Sequence, residues 1–322
     1  MDLTRRRFLE ATAASALIPG LAGAGPAKLP TRPFGKTGLT VPILGFGAGS
    51  RFLMYAEEDQ ALEAFERALG LGITYIDTAH AYGNGKSEER IGKLMPTRRA
   101  EVTLATKIPA RKADDARRQI ELSLKRLKTD RLDVLHIHDL KGPADLTAIE
   151  AKGGVLEALY EARDQKVARA IGITCHADPS ALKLALERHD FDATQMALNA
   201  ALARMADGAG GMKATPMPLG GFEELALPVA VRKEMGIIAM KVFGQDQILG
   251  AAAPATLLTY SLSLPVSLAS CGMPRPEFID RNAETVARFT PMSEADRRKL
   301  TESIALARKV AMAGYLVDHE DA

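Results

Sequence analysis

Eight short apolar runs recur along the chain, at residues 43–46, 73–76, 102–105, 134–137, 170–173, 193–196, 237–240 and 266–269. Runs of this length, rich in Val, Ile, Leu and Ala, suit strands covered on both faces. Between most of them lie stretches with apolar residues at helical spacing, at 58–69, 116–127, 155–163, 179–186 and 222–234. Alternating strand and helix means a parallel sheet, because each return to the same edge needs a crossover. Eight strands with no break in hydrophobicity or charge predict an α/β chain folded as a single (β/α)8 TIM barrel, not two domains. The rival is an open, doubly wound sheet, which would show G-x-G-x-x-G opening a helix. The nearest match, GFGAG at 45–49, lacks the third glycine spacing. It reads instead as the end of the first barrel strand, where a missing side chain lets a ligand approach the backbone.

Ahead of the first run, RPFGKTGLTVP at 32–42 places a GKTG turn between apolar segments and predicts an N-terminal β-hairpin. Pro179 suits a first helical turn. Ser293 is an N-cap for a last helix over 293–313, with Asp296 at the third helical position. By contrast, residues 202–221 (LARMADGAGGMKATPMPLGG) read as a long loop, either a cover over the substrate or a flexible excursion.

The chain has 322 residues, 47% of them hydrophobic, enough for one large core. Its formal charge of +2 lacks the basic footprint of a nucleic-acid binder. Cys175 and Cys271 form no CxxC pair, so neither a zinc site nor a disulfide framework is expected, and both read as free thiols in or near strands.

Residues 1–24 do not follow the barrel pattern. Arg5, Arg6 and Arg7 precede Phe8 and Leu9; a short, weakly apolar run follows, ending in Ala22, Gly23 and Ala24. This resembles a twin-arginine export signal with small-residue cleavage. The run is shorter than the ~20 residues that span a bilayer and contains Pro19 and Gly20, so no stable membrane span is expected. The organisation expected is a signal at 1–24 and one domain at 25–322, carried by the export machinery to the bacterial periplasm. That route takes folded proteins.

Active-site residues of such a barrel belong at the carboxyl ends of the strands. The second run ends at Asp77, the third at Lys107 and the fourth at His138, and Tyr82 lies five residues after Asp77. Each has a plainer use: Asp77 as a turn cap, Tyr82 as a packed aromatic, Lys107 as a rim charge. His136 lies two residues before His138, and period-two alternation turns both the same way, so direction alone does not choose between them. In order along the chain, the hairpin RPFGKTGLTVPILGFG, the segment GITYIDTAHAYGNGKSEERIGKLM, the strand LATKI and the strand LDVLHIHDL resemble the aldo-keto reductase superfamily. The resemblance runs from about Arg32 to about Asn282. It implies a catalytic tetrad of Asp77, Tyr82, Lys107 and His138. A carbonyl accepting hydride develops oxyanion character and needs a proton. Tyr82 would supply it, with Lys107 lowering the phenol pKa, His138 assisting and Asp77 holding Lys107.

The same resemblance implies cofactor contacts. Gly47 ends the first strand. Thr174 and Cys175 stand where the family has Ser-Asn at the nicotinamide amide, and Gln195 matches the glutamine at the carboxamide. Lys241 replaces a stacking aromatic and would meet the pyrophosphate, as would backbone around Phe243 and Gly244. Gly272, Met273, Arg275 and Asn282 fall in the adenosine-phosphate segment CGMPRPEFIDRN. The cofactor implied is NADP(H) in preference to NAD(H), and the partner a small carbonyl or alcohol: aldehyde, ketone or sugar-like. The competing reading is a nicotinamide-binding regulatory or interaction protein with little turnover. A hydrolase or lyase on this barrel would need a metal cluster or paired carboxylates, and no metal site is expected.

Overall fold

A computed structural model describes residues 29–208, 211–216 and 221–317. The expected signal at 1–24 lies outside them. Two short strands come first, β1 (Thr31–Pro33) and β2 (Thr40–Pro42), paired antiparallel across the turn expected from the GKTG sequence. Eight parallel strands follow: β3 (Leu44–Gly47), β4 (Tyr75–Asp77), β5 (Thr103–Ile108), β6 (Leu132–Ile137), β7 (Ala168–Cys175), β8 (Ala193–Ala197), then β11 (Gly236–Met240) and β12 (Leu268–Cys271). Each pairs with its neighbour in chain order, and β12 returns to β3, so the sheet closes as a barrel. The expected (β/α)8 barrel is therefore the fold observed, and the apolar runs mark its strands to within a few residues.

The interval between β8 and β11 departs from expectation. Residues 202–221 do not form a plain loop: β9 (Ala203–Gly208) and β10 (Gly211–Pro216) pair antiparallel, with Gly208 opposite Gly211. Asn199 starts the hairpin locally. Its amide donates to the Ala203 carbonyl at 2.9 Å, and its oxygen accepts the Ala203 N–H at 3.1 Å.

Helices lie on the outside of the barrel. They are α1 (Glu58–Gly70), α2 (Lys86–Gly92), α3 (Met95–Arg98), α4 (Ala113–Leu127), α5 (Pro143–Glu150), α6 (Val155–Asp164), α7 (Pro179–Arg188), α8 (Phe222–Leu225), α9 (Leu227–Arg232), α10 (Pro254–Leu262), α11 (Pro276–Ala287) and α12 (Glu294–Val317). The single helix expected over 222–234 is broken into α8 and α9. Pro228 sits in the first turn of α9, and lacking an N–H it begins a helix more readily than it continues one. Pro179 opens α7 as expected, with the Asp178 carboxylate capping the Ala181 N–H at 2.9 Å. Ser293 caps α12 through the Asp296 N–H at 3.1 Å.

Strand alternation divides the side chains into two layers. One set, including Leu44, Phe46, Ile76, Leu104, Leu135, Ile171 and Ala269, packs outward under the helices. The other set points in: Tyr75, Ala105, Val134, Ala170, Ala193, Ile238 and Leu268, joined by Phe34 and Val41 from the hairpin, form a separate buried cluster. The hairpin thus plugs the amino-terminal end of the barrel. Inward positions one step further along β4, β5, β8 and β12 are Asp77, Lys107, Gln195 and Ser270, and β6 contributes His136 and then His138. Polar residues thereby stack above the apolar plug at the carboxyl end.

Candidate active site

Asp77 and Lys107 form the base of the site. The Lys107 ammonium donates to Asp77 Oδ1 at 2.6 Å and to the Thr78 carbonyl at 2.7 Å, and Lys107 is only 1% exposed. Asp77 Oδ2 accepts from Gln195 Nε2 at 2.8 Å and from Ser270 Oγ at 2.9 Å. Four strands therefore converge on one carboxylate. Burial raises the Asp77 pKa, but Lys107 and the hydrogen-bond donors outweigh it and the net shift is downward. Burial likewise opposes the Lys107 charge; Asp77 and Tyr82 overcome it and the net shift is upward. Each partner keeps the other ionised.

Tyr82 stands above this pair in the loop after β4. Lys107 Nζ lies 3.4 Å from its hydroxyl and 4.9 Å from its ring centroid. The His138 ring meets Tyr82 edge-on, with centroids 5.5 Å apart. The structure thus brings Asp77, Tyr82, Lys107 and His138 together. Burial raises the Tyr82 pKa; Lys107 pulls the other way, as the sequence reading expected, but does not win. Burial and the neighbouring Lys107 press His138 down to about 3, so its imidazole is neutral at ordinary pH.

The second histidine, His136, turns inward on β6 as alternation requires, but one layer deeper. It is fully buried, and neither ring nitrogen has a partner among the described residues. Gly172 makes room for it: a Cβ there would lie 2.5 Å from His136 Nδ1. His138 lines the cavity at the mouth and His136 does not.

That cavity, about 430 Å³, is lined by Asp77, Tyr82 and His138 together with Gly47, Gln195, Lys241, Phe243 and Gly272. Gly244 follows Phe243 with φ +52° and does not itself line the cavity. Other expected cofactor residues sit elsewhere. Cys175 packs in the outer layer, its thiol donating to the Leu140 carbonyl at 3.1 Å. It falls on the outward side of β7, so period-two geometry keeps it from the mouth. Thr174 is fully buried, and its hydroxyl accepts the Asp139 N–H at 2.8 Å. Met273 is buried in the outer core and Asn282 lies on α11. Arg275 is exposed, its guanidinium 5.0 Å above the Phe278 ring. None of these five lines the cavity.

Further residues complete the mouth; of these, the sequence had pointed only to His176, next to Cys175. Ser270 was legible in principle, two positions after inward Leu268. Asp139, His176 and Arg51 also line the cavity, and Arg51 pairs with Asp246. A Cβ on Gly272 would meet the Arg51 side chain at 2.7 Å, so glycine there keeps this approach open. Burial lowers Lys241 to about 8, with Lys107 and Arg51 adding to the fall and Asp139 opposing it.

The cavity suits a nicotinamide carboxamide on one specific ground. Gln195 Oε1 is buried, without a partner among the described residues, on a side chain whose NH2 end is already fixed to Asp77. That leaves an oriented acceptor in a cavity that the bare backbones of Gly47 and Gly272 also line. Among the described residues no group of His, Cys, Asp and Glu is placed to hold a metal ion, and no helix is long and apolar enough to cross a membrane.

Comparison with known proteins agrees with the fold. The chain is 36% identical over 160 residues to L-galactose dehydrogenase of Arabidopsis thaliana, covering 46% of this chain and 49% of the relative. It is 34% identical over 150 residues to the NADP(+) aldo-keto reductase yakc of Schizosaccharomyces pombe, covering 42% and 43%. The chain spans about half the length of the curated relatives it matches. Aldo-keto reductase AKR11C1 of Bacillus halodurans superposes with a TM-score of 0.69 at 21% identity, covering 86% of this chain and 96% of that one, a likeness of fold. The sequence pattern of the aldo/keto reductase family matches residues 43–209, more than half the chain. With its closed barrel and that match, the chain belongs to the aldo/keto reductase family.

Proposed function

We propose that this protein is an NAD(P)-dependent oxidoreductase acting on a carbonyl or alcohol, with NADP(H) preferred. The observation that carries the reading is the contact of a phenol, a buried ammonium and its carboxylate at the mouth of a cavity. A nicotinamide cofactor, when bound, supplies or accepts the hydride. Tyr82 holds the proton for the carbonyl oxygen. Because burial raises its pKa, it stays protonated and acts as a neutral acid. Lys107 steadies the phenolate as the proton leaves, and Asp77 keeps Lys107 charged and aimed. Neutral His138 donates a hydrogen bond to the same oxygen.

Gln195 would accept from the carboxamide, and Lys241 with backbone around Phe243 and Gly244 would meet the pyrophosphate. Arg275 and Arg281 are the exposed cations within the segment expected at the adenosine end. The preference for NADP(H) draws support from the yakc relative, whose name carries that cofactor. The name of the L-galactose dehydrogenase relative supports a hydroxylated carbonyl or alcohol as substrate class.

The test is a fluorescence titration of the purified chain with NADPH and NADH, followed by a carbonyl panel. Saturable binding, tighter for NADPH, and cofactor oxidation with at least one carbonyl are expected. Absence of binding by either cofactor overturns the assignment.

Residues 1–24 act, in this reading, as a twin-arginine signal that delivers the folded domain to the periplasm. The support is the arginine cluster followed by a weakly apolar, small-residue tract. Residues 1–30 fused to a reporter should direct export, and lysines in place of Arg5 and Arg6 should stop it. Unchanged export of the lysine variant contradicts this.

A further inference from the structure

Asp139 follows His138 and lines the same cavity. Its backbone lies at φ +58°, a region disfavoured for a residue with a Cβ, although Asp and Asn enter it more readily than most. Neighbours hold it there. The Asp139 N–H donates to Thr174 Oγ1 at 2.8 Å, and Arg111 Nη2 donates to the Asp139 carbonyl at 3.0 Å. Arg111 is itself fixed by Asp145 through two bonds of 2.7 and 2.8 Å. Backbone geometry over-determined in this way tends to mark a ligand clamp.

The consequence is a carboxylate turned into the cavity wall and only 9% exposed. Its Oδ2 accepts from Lys141, while Oδ1 has no partner among the described residues. His176 lines the same cavity, is 7% exposed, and its Nδ1 is likewise unpartnered. Its imidazole is kept neutral by burial and by Lys241, so it offers one donor and one acceptor. Lys241 adds an ammonium to the wall.

A buried carboxylate oxygen without a hydrogen bond is costly, and a ligand that donates to it is correspondingly favoured. An unsubstituted alkyl aldehyde would leave Asp139 and His176 unpaired. A hydroxyl group both donates and accepts, and meets each of these atoms in turn. We propose that Asp139 is a specificity-determining residue that binds a hydroxyl near the reacting carbonyl, making the natural substrate a polyhydroxylated carbonyl or its alcohol. This rests on the oxidoreductase reading and narrows it.

The experiment measures kcat/KM for glyceraldehyde and for propanal at saturating NADPH, with the full chain and with Asp139→Ala and Asp139→Asn. The two aldehydes share a carbon count and differ in two hydroxyls. The unaltered chain should favour glyceraldehyde. Asp139→Ala should lower the glyceraldehyde-to-propanal ratio about 10- to 100-fold, the range for losing a hydrogen bond to a charged group. Asparagine tolerates the same backbone conformation and keeps one acceptor oxygen, so Asp139→Asn should lower the ratio by a smaller factor and carries the test if the alanine variant fails to fold. A ratio unchanged within twofold in the folded variants overturns the proposal, as does a preference of the unaltered chain for propanal. Turnover of neither aldehyde, with NADPH bound, overturns the enzyme reading and this one with it; turnover of both with an unchanged ratio overturns only this one.

Discussion

Asp77 and Lys107 meet at 2.6 Å beneath the cavity, with both side chains sealed from solvent. Their remaining partners are unequal. Asp77 also receives Gln195 and Ser270, whereas Lys107 otherwise has the Thr78 carbonyl and the Tyr82 hydroxyl. The pair is one electrostatic unit, and removing either half leaves a buried charge.

Breaking such a pair costs about 3–5 kcal/mol. Asp77→Asn should cost more than Lys107→Met, because the orphaned ammonium has weaker neighbours than the orphaned carboxylate. Urea denaturation measures the order; a larger loss for Lys107→Met contradicts it. In the unaltered chain Asp77 has a depressed pKa, so its stabilisation is complete above the usual carboxylate range and is lost as pH falls through the depressed value. Lys107 has a raised pKa; its stabilisation is complete below the usual lysine value and is lost as pH rises through the raised one. Between about pH 5 and 9 the pair should therefore add no pH dependence.

Tyr82→Phe removes one hydroxyl and little volume. Turnover should fall by about 100-fold or more, the usual contribution of a positioned acid. NADPH affinity should stay within about threefold, since the assigned role is proton transfer rather than cofactor binding. Steady-state kinetics and fluorescence titration separate the two; normal turnover with lost binding would falsify the role.

The pH profile distinguishes a neutral from a charged imidazole. With His138 pressed down to about 3 by burial and Lys107, it does not titrate between pH 5 and 8. Because Tyr82 is shifted upward, loss of its proton limits reduction only on the alkaline side of the normal tyrosine value. The expected kcat/KM profile for reduction has no step near pH 6.5. A step there that His138→Asn abolishes would show that His138 is charged in the working enzyme.

Glu223 gives a pH effect on stability far from the chemistry. It accepts from the Tyr260 hydroxyl at 3.0 Å, and burial raises its carboxyl to about 7. The folded chain thus binds a proton that the unfolded chain has already released near pH 4.3. This stabilising term is fully present below that value and disappears as pH rises through about 7. Glu223→Gln should flatten the fall in Tm between pH 5 and pH 8. Parallel curves for the two proteins would refute the assignment.

Local patterning made the strands legible, while the grouping of Asp77, Tyr82, Lys107 and His138 came from the resemblance to the aldo-keto reductases. Four-residue apolar runs separated by amphipathic stretches specify parallel strands, and Asp77, Lys107 and His138 were readable because each closes a run. Period-two alternation also turned His136 and His138 inward correctly. It did not say which of them reaches the cavity, because that depends on the stagger of β6 against Gly172 in β7. The break at Pro228 was visible as a residue, but helical spacing on both sides disguised it. The antiparallel pairing of β9 with β10 was hidden in a glycine- and methionine-rich stretch with no clear alternation.

What the sequence by itself determined is the order and spacing of chemically able residues on a barrel, since both depend on interactions within a few positions of each other. Closure of the barrel decided their partners. Gln195 and Ser270 reach Asp77 across 118 and 193 positions, Thr174 turns its hydroxyl to Asp139 rather than to the mouth, and Cys175 faces outward. Contacts at such separation follow from strand stagger around a closed sheet, a property of all eight strands together that no local pattern encodes.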